Sequence, residues 1–178
     1  ELAKKRYDLL QKFIRERFVK DTHFDDGSTF GSKKPVLLQA GAYLISQVYG
    51  LSIEPIQING PTQAPSNLHE LYTIGINTVI KNAYGIEIGV AHGSASSLIW
   101  SSRQNAFIPR AIDNDKTLNT TLKMAQKRSI VCAIRQTTDA ASIFGEDIEK
   151  DDYGNPEEGP KSDVGSKSKG SQGFIRRR

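Results

Sequence analysis

The chain is poor in the residues that bind metals or form disulfides: its 178 residues include one cysteine and three histidines. A single cysteine, Cys132, excludes a disulfide framework within the chain, as is typical of proteins in a reducing compartment. His23, His69 and His92 are scattered and do not have the spacing of zinc ligands. These shortages argue against a disulfide-stabilised secreted domain and against a zinc enzyme.

Long hydrophobic runs are also missing. No stretch approaches the roughly 20 apolar residues of a transmembrane helix, and the first residues carry no hydrophobic signal core. We therefore expect a cytoplasmic protein with no membrane contact. Aromatic residues make up only 8% of the chain, and the formal net charge is +4. This mild basic excess is compatible with a nucleic-acid partner or an acidic protein partner but requires neither.

Common catalytic and nucleotide-binding motifs are absent as well. Residues 27–34, GSTFGSKK, resemble a phosphate-binding P-loop, but three residues rather than four separate the two glycines and no predicted strand precedes them. There is no GxSxG nucleophile elbow and no Gly-rich dinucleotide turn. Asp139, Glu146 and Asp147 are the carboxylates that could gather magnesium, so a metal nuclease stays a minor alternative. We predict a protein that is not an enzyme and needs no cofactor or metal.

The order of the elements follows from hydrophobic periodicity. Apolar residues at helical spacing predict helices over residues 1–21 and 35–49, and alternation predicts strands over 51–58, 68–81 and 86–94. Residues 82–85, NAYG, predict the hairpin turn of an antiparallel meander. The predicted fold class is α+β, a three-stranded antiparallel sheet (β-β-β-α core) packed against a long basic helix, with two N-terminal helices. We expect one domain over residues 1–150 and a disordered Gly/Ser/Lys-rich tail with a basic end over 151–178.

The longest predicted helix, residues 115–142, has two different sides. Small or apolar residues at spacings of three and four predict close packing on the sheet; they are Leu118, Leu122, Ala125, Ser129, Cys132, Ala133 and Gln136. The cations of the helix are Lys116, Lys123, Lys127, Arg128 and Arg135. Met124, Val131 and Ile134 lie among these cations and predict a second buried contact, for which a neighbouring copy of the chain is one candidate. The spacing leaves open whether the cations bind a polyanion or only face solvent.

The start of this helix has its own signal. Asp113, Asn114 or Asp115 is expected to accept a hydrogen bond from the first free amides as the N-cap. A second helix start is predicted at Pro35, because proline suits the first helical turn. Lys33 and Lys34 would then lie beside a helix N-terminus that favours phosphate.

The connection over residues 94–112 contains a further group of cations. Arg103 and Arg110 are interleaved with Trp100 and Phe107, a composition that can stack on and neutralise single-stranded nucleic acid. The same composition fits an ordinary hydrophobic connection with solvent-facing cations. Both interpretations remain open at this point.

Three segments of the chain together resemble a known family. They are FGSKKPVLLQAGAYLISQVYGL, YGIEIGVAHGSASS and LNTTLKMAQKRSIVCAIRQTTDAASIFGEDIE, and they fall within about residues 31–149. In order and in content they are similar to the phage single-strand annealing proteins of the Sak type, members of the Rad-fifty-two-like superfamily, whose fold is a β-β-β-α unit with flanking helices. The third segment is the most specific, through the Lys-Arg pair after Met-Ala-Gln and the acidic exit from the helix.

The resemblance implies a homo-oligomeric ring or filament that binds single-stranded DNA and anneals complementary strands without ATP, in homologous recombination or DNA repair. The cations that match the family's DNA-facing helix are Lys123, Lys127, Arg128 and Arg135, with Lys33 and Lys34 as a weaker carry-over. Lys116, Arg103 and Arg110 complete the candidate set. The implied location is the cytoplasm of a bacterial or phage-infected cell, and the tail is a candidate contact for a single-stranded DNA-binding protein or another partner.

Two departures from the family pattern limit what the resemblance implies. An acidic run over residues 146–152 closely follows the long helix, and aromatic residues are few. The low aromatic content favours phosphate contacts over base stacking as the source of affinity. The alternative from another class is a non-catalytic structural or adaptor subunit that contacts an acidic partner.

Overall fold

A computed structural model of the chain describes residues 1–27, 34–67, 69–101, 103–111 and 113–145. The helices are α1 (Leu2–Arg17), α2 (Gln39–Tyr49), α3 (Asn114–Thr137) and α4 (Ala140–Ile143). The strands are β1 (Phe24–Asp25), β2 (Val36–Leu37), β3 (Ser52–Asn59), β4 (Thr73–Lys81), β5 (Glu87–Ser96), β6 (Leu98–Ser101) and β7 (Ala106–Pro109). These elements confirm the predicted α+β class.

The central sheet is the predicted three-stranded antiparallel meander. Its order is β3-β4-β5, and Thr78 of β4 lies between Pro55 of β3 and Ala91 of β5. Alternate residues of β4 are buried, which is the period of two expected when one face of a sheet covers a core. That inner face carries Ile74, Ile76, Thr78 and Ile80.

The helix α3 lies directly on this inner face, mainly over β5 and β4. A Cβ atom added at Gly93 of β5 would overlap the backbone nitrogen of Ser129 and lie 2.6 Å from the carbonyl oxygen of Ala125. The hydroxyls of Thr78 and Ser129 are 2.7 Å apart and form a buried hydrogen bond between sheet and helix. The close approach therefore depends on small residues on both partners, as the sequence predicted for Ala125 and Ser129.

The predicted sheet-facing side of α3 is only partly confirmed. Ala125, Ser129 and Ala133 are buried, whereas Gln136 is exposed. Leu118 and Leu122 pack against the cluster around Ala125, and Cys132 is partly buried at the larger core. Two buried threonines, Thr117 and Thr121, extend the contact toward the start of the helix.

A second layer covers the other side of α3 over its C-terminal half. Val131 and Ile134 are 2% and 0% exposed, and they belong to a core cluster that also contains residues from α1, α2 and the exit from α4. The predicted second buried contact is confirmed for these two residues, but a neighbouring copy was the wrong candidate because the chain covers them itself. Met124 packs at the edge of the other cluster, beside the sheet.

The predicted helix start at Pro35 is also wrong. Val36 and Leu37 form β2, which pairs with β1, and both side chains are completely buried. The helix α2 begins at Gln39, after Leu38 as its N-cap. Burial of two adjacent apolar residues in a strand pair outweighs the local signal of a proline, so the argument that placed Lys33 and Lys34 at a helix N-terminus does not hold.

Three of the remaining predictions fall on residues outside the described ranges. They concern the acidic run with Glu146 and Asp147, the tail over 151–178, and Lys33. Within the part of the chain that the structure covers, no helix combines the length and the apolar content needed to cross a bilayer.

Candidate nucleic-acid interface

Three lysines form a row along about the first four turns of α3. Lys116, Lys123 and Lys127 are separated by seven and four residues, which places them within about 40° around the helix axis and over about 17 Å of its length. Lys116 and Lys123 are exposed and Lys127 is partly exposed. Ala125, which contacts the sheet, lies on the opposite side of the helix. We call these three residues the lysine row.

The lysine row ends where the second layer of the fold begins. Ile134 follows Lys127 by seven residues on the same side of α3, and it is completely buried. Ile130, three residues after Lys127, is also completely buried in the same core cluster. Packing therefore restricts the basic side of the helix to its first three to four turns.

The start of α3 is fixed by Asp113, which confirms one of the three predicted caps. One carboxylate oxygen of Asp113 accepts a hydrogen bond of 2.7 Å from the backbone amide of Lys116, and the other lies 3.1 Å from its ammonium group. The amide hydrogen bond, assisted by that ammonium group, lowers the pKa of Asp113. Lys116 thus already has a carboxylate neighbour, whereas no carboxylate of the described residues forms an ion pair with Lys123.

Arg128 and Arg110 make contacts that differ from those of the lysines. Nη1 of Arg128 donates to the carbonyl oxygen of Ser94 at 2.7 Å, and Nε of Arg110 donates to the carbonyl oxygen of Ser96. Nη1 of Arg110 also lies 3.0 Å from the sulfur of Met124. The guanidinium groups of these two arginines, which were predicted to contact DNA, therefore form hydrogen bonds with the backbone at the end of β5.

The other candidate cations lie outside the lysine row. Arg135 follows Arg128 by seven residues, so it lies on the same side of α3 as Arg128, and its Nε is buried with no hydrogen-bond partner among the residues described. Lys34 is exposed just before β2. Arg103 is exposed in the turn between β6 and β7.

A hairpin with one exposed and one partly buried aromatic residue was not predicted from the sequence. Strands β6 and β7 pair in an antiparallel register that places Trp100 opposite Phe107. The two rings pack edge to face, with centroids 5.2 Å apart and planes at 73°, and Phe107 is 62% exposed. The available signal was a pair of strand-prone segments, LIW and FI, on either side of a polar turn.

Metal binding receives no support from the described residues. No three His, Cys, Asp or Glu side chains among them lie close enough together to hold an ion. Asp139 lines a cleft with Arg6, Tyr49 and Thr137. Its predicted partners Glu146 and Asp147 are outside the described range.

The contact of Arg128 leads to a first prediction. Arg128→Ala should lower the free energy of unfolding by about 1.5–3 kcal/mol, the usual contribution of a hydrogen bond to a charged group. Lys123→Ala, in the same helix, should change it by less than about 0.5 kcal/mol because Lys123 is exposed. Urea denaturation of both variants measures the difference. Equal stability of the two variants would show that the bond from Arg128 to Ser94 does not support the fold.

Comparison with models of protein families and with curated protein sequences finds no match for this chain. The function is therefore inferred from the geometry of the interface and from the sequence resemblance.

Proposed function

We propose that this chain binds single-stranded DNA and anneals complementary strands without ATP, in homologous recombination or DNA repair, as a protein similar to the Sak type. The observation that carries the proposal is the lysine row on the solvent side of α3. A strand lying along the helix would meet three ammonium groups over about 17 Å. The opposite side of the helix is held on the sheet, so the row is presented by a rigid support.

The chemistry of annealing suits such a row. Two strands can pair once the repulsion between their phosphates is reduced and their base edges stay accessible. Lysines suit both conditions, because an ammonium group binds a phosphate as a point charge and phosphate contacts leave the base edges free. Pairing itself supplies the drive, about 1.4 kcal/mol per stacked step. No bond is broken, so the proposed activity needs no catalytic residue and no cofactor.

Self-association is part of the proposal, because three lysine contacts alone bind a strand weakly. A ring or filament of copies would align many lysine rows along one strand, and linked contacts raise affinity without any new contact type. Two exposed apolar side chains of α2, Tyr43 and Val48, are the residues that we assign to this assembly. The proposed location is the cytoplasm of a bacterial or phage-infected cell, with the tail over 151–178 as a contact for a partner such as a single-stranded DNA-binding protein.

The test is an annealing assay with complementary labelled oligonucleotides, without ATP or magnesium. We expect faster annealing than for free DNA, and binding to oligo-dT that weakens steeply with salt. The mass of the protein, measured with and without oligo-dT, should show an assembly of several copies. Salt-insensitive binding or absent annealing would instead favour an adaptor that contacts an acidic protein. Cleavage that requires magnesium would favour a nuclease.

A further inference from the structure

The β6–β7 hairpin carries apolar side chains that the rest of the described chain leaves uncovered. Phe107 is 62% exposed, and none of the apolar side chains of the two strands is fully buried. Leu98, Trp100, Phe107 and Pro109 share one face of the hairpin, as their pairing requires. A two-stranded hairpin is only marginally stable by itself, so the exposed Phe107 beside the partly buried Trp100 indicates a contact surface.

The charged residues within the hairpin and directly after it are all arginines. No aspartate or glutamate occurs between Glu87 and Asp113, whereas Arg103 lies in the hairpin turn and Arg110 directly follows β7. An exposed ring next to arginines suits a ligand that combines flat apolar faces with negative charge. Single-stranded nucleic acid has this combination in its bases and phosphates.

The base of the hairpin is attached beside the lysine row. The backbone amide of Arg110 donates to the carbonyl oxygen of Ser97, and its guanidinium group reaches Ser96 and Met124. Met124 is adjacent to Lys123 in α3. Consecutive helical residues point about 100° apart, so the hairpin leaves the sheet about a quarter of a turn around α3 from the lysine row.

We propose that a base of the bound strand stacks on the exposed ring of Phe107, with Arg103 beside the neighbouring phosphate. This inference rests on the proposed function and adds a stacking contact to it. Stacking uses the face of a base and leaves its pairing edge free, so the contact is compatible with annealing. The observations favour DNA over a second copy of the chain as the occupant, because the charge of the hairpin complements a polyanion.

The test uses the fluorescence of Trp100, which is the only tryptophan in the chain and packs against Phe107. Titration with oligo-dT should quench Trp100 emission in parallel with binding measured by anisotropy. Phe107→Leu keeps an apolar side chain but removes the ring, and should weaken binding about fivefold to thirtyfold. The dependence of binding on salt should stay unchanged, because no charge is removed. Phe107→Tyr, which keeps the ring, should bind like the unmodified protein.

The control is Tyr84→Ala. Tyr84 is an aromatic residue in the β4–β5 turn and is 88% exposed, so its loss should change neither the quenching nor the affinity. Binding of oligo-dT without any change in Trp100 emission, and with full affinity of Phe107→Leu, would overturn the stacking contact and leave the lysine row standing. Absence of any binding would overturn the proposed function and this inference with it. Trp100 emission that depends on protein concentration alone would assign the hairpin to a second copy instead.

Discussion

Gly93→Ala is expected to lower the free energy of unfolding by about 3 kcal/mol, at the upper end of what overpacking costs. The added methyl group would overlap the backbone nitrogen of Ser129 and approach the carbonyl oxygen of Ala125. Backbone atoms of a helix cannot rotate away as a side chain can, so α3 would have to lift from β5. Lifting would also stretch the buried hydrogen bond between Thr78 and Ser129. Thermal unfolding should show a midpoint lower by about 6–12 °C.

The matched control is Gly89→Ala, on the same strand. A Cβ atom there would overlap only a methyl group of the Thr137 side chain, among the atoms of the described residues. A side chain can adjust by rotation, so we expect a smaller loss, about 1 kcal/mol. Equal losses for the two variants would contradict the close approach of α3 to β5 at Gly93. Unchanged stability of Gly93→Ala would contradict it directly.

The sheet and the start of α3 could be predicted because their signals are local. Alternation along β4 and the polar turn over 82–85 determine a hairpin without reference to the rest of the chain. The cap at Asp113 likewise depends only on a carboxylate placed before the first turn. Such signals lie within a few residues of the structure that they specify.

The second covered side of α3 could not be predicted in the same way. A helical pattern is normally interpreted as one buried side and one solvated side. Val131 and Ile134 lie close to cations in the sequence, yet they are buried in a core cluster with residues of α1, α2 and the sheet. Their burial is decided by tertiary packing of distant segments, which explains why a neighbouring copy was a reasonable but wrong expectation.

The roles of individual cations also depend on contacts between segments that are far apart in the sequence. Arg128 and Lys127 are adjacent in the sequence, but Arg128 reaches the backbone of β5, 34 residues earlier. Lys127 continues the row begun by Lys116 and Lys123. The sequence predicted both residues for one interface, and only the packing of α3 on β5 separates a structural contact from a surface position. Arg110 is a second example, because its guanidinium group donates to the carbonyl oxygen of Ser96 in β5.

Removal of the lysine row should have the largest effect on DNA binding. For Lys116→Ala/Lys123→Ala/Lys127→Ala we expect the affinity for oligo-dT to fall about a hundredfold at about 0.1 M salt. The reason is counterion release: each phosphate contact with a single strand contributes about 0.7 to the slope of log affinity against log salt. Three contacts together contribute about 2 to this slope. Their contribution to the affinity therefore rises about a hundredfold when the salt falls from about 1 M to about 0.1 M. Fluorescence anisotropy over a salt series measures both the affinity and the slope.

The control for the lysine row is a triple variant of α1, Lys4→Ala/Lys5→Ala/Lys12→Ala, which changes the net charge by the same amount. These lysines are exposed, and Lys5 and Lys12 form solvent-exposed ion pairs within α1, so their loss should not affect folding. The α1 variant should keep the salt slope of the unmodified protein. If both variants lost affinity equally, binding would depend on net charge rather than on the row along α3. A variant of the row that binds with full affinity would remove the basis for placing DNA on this helix.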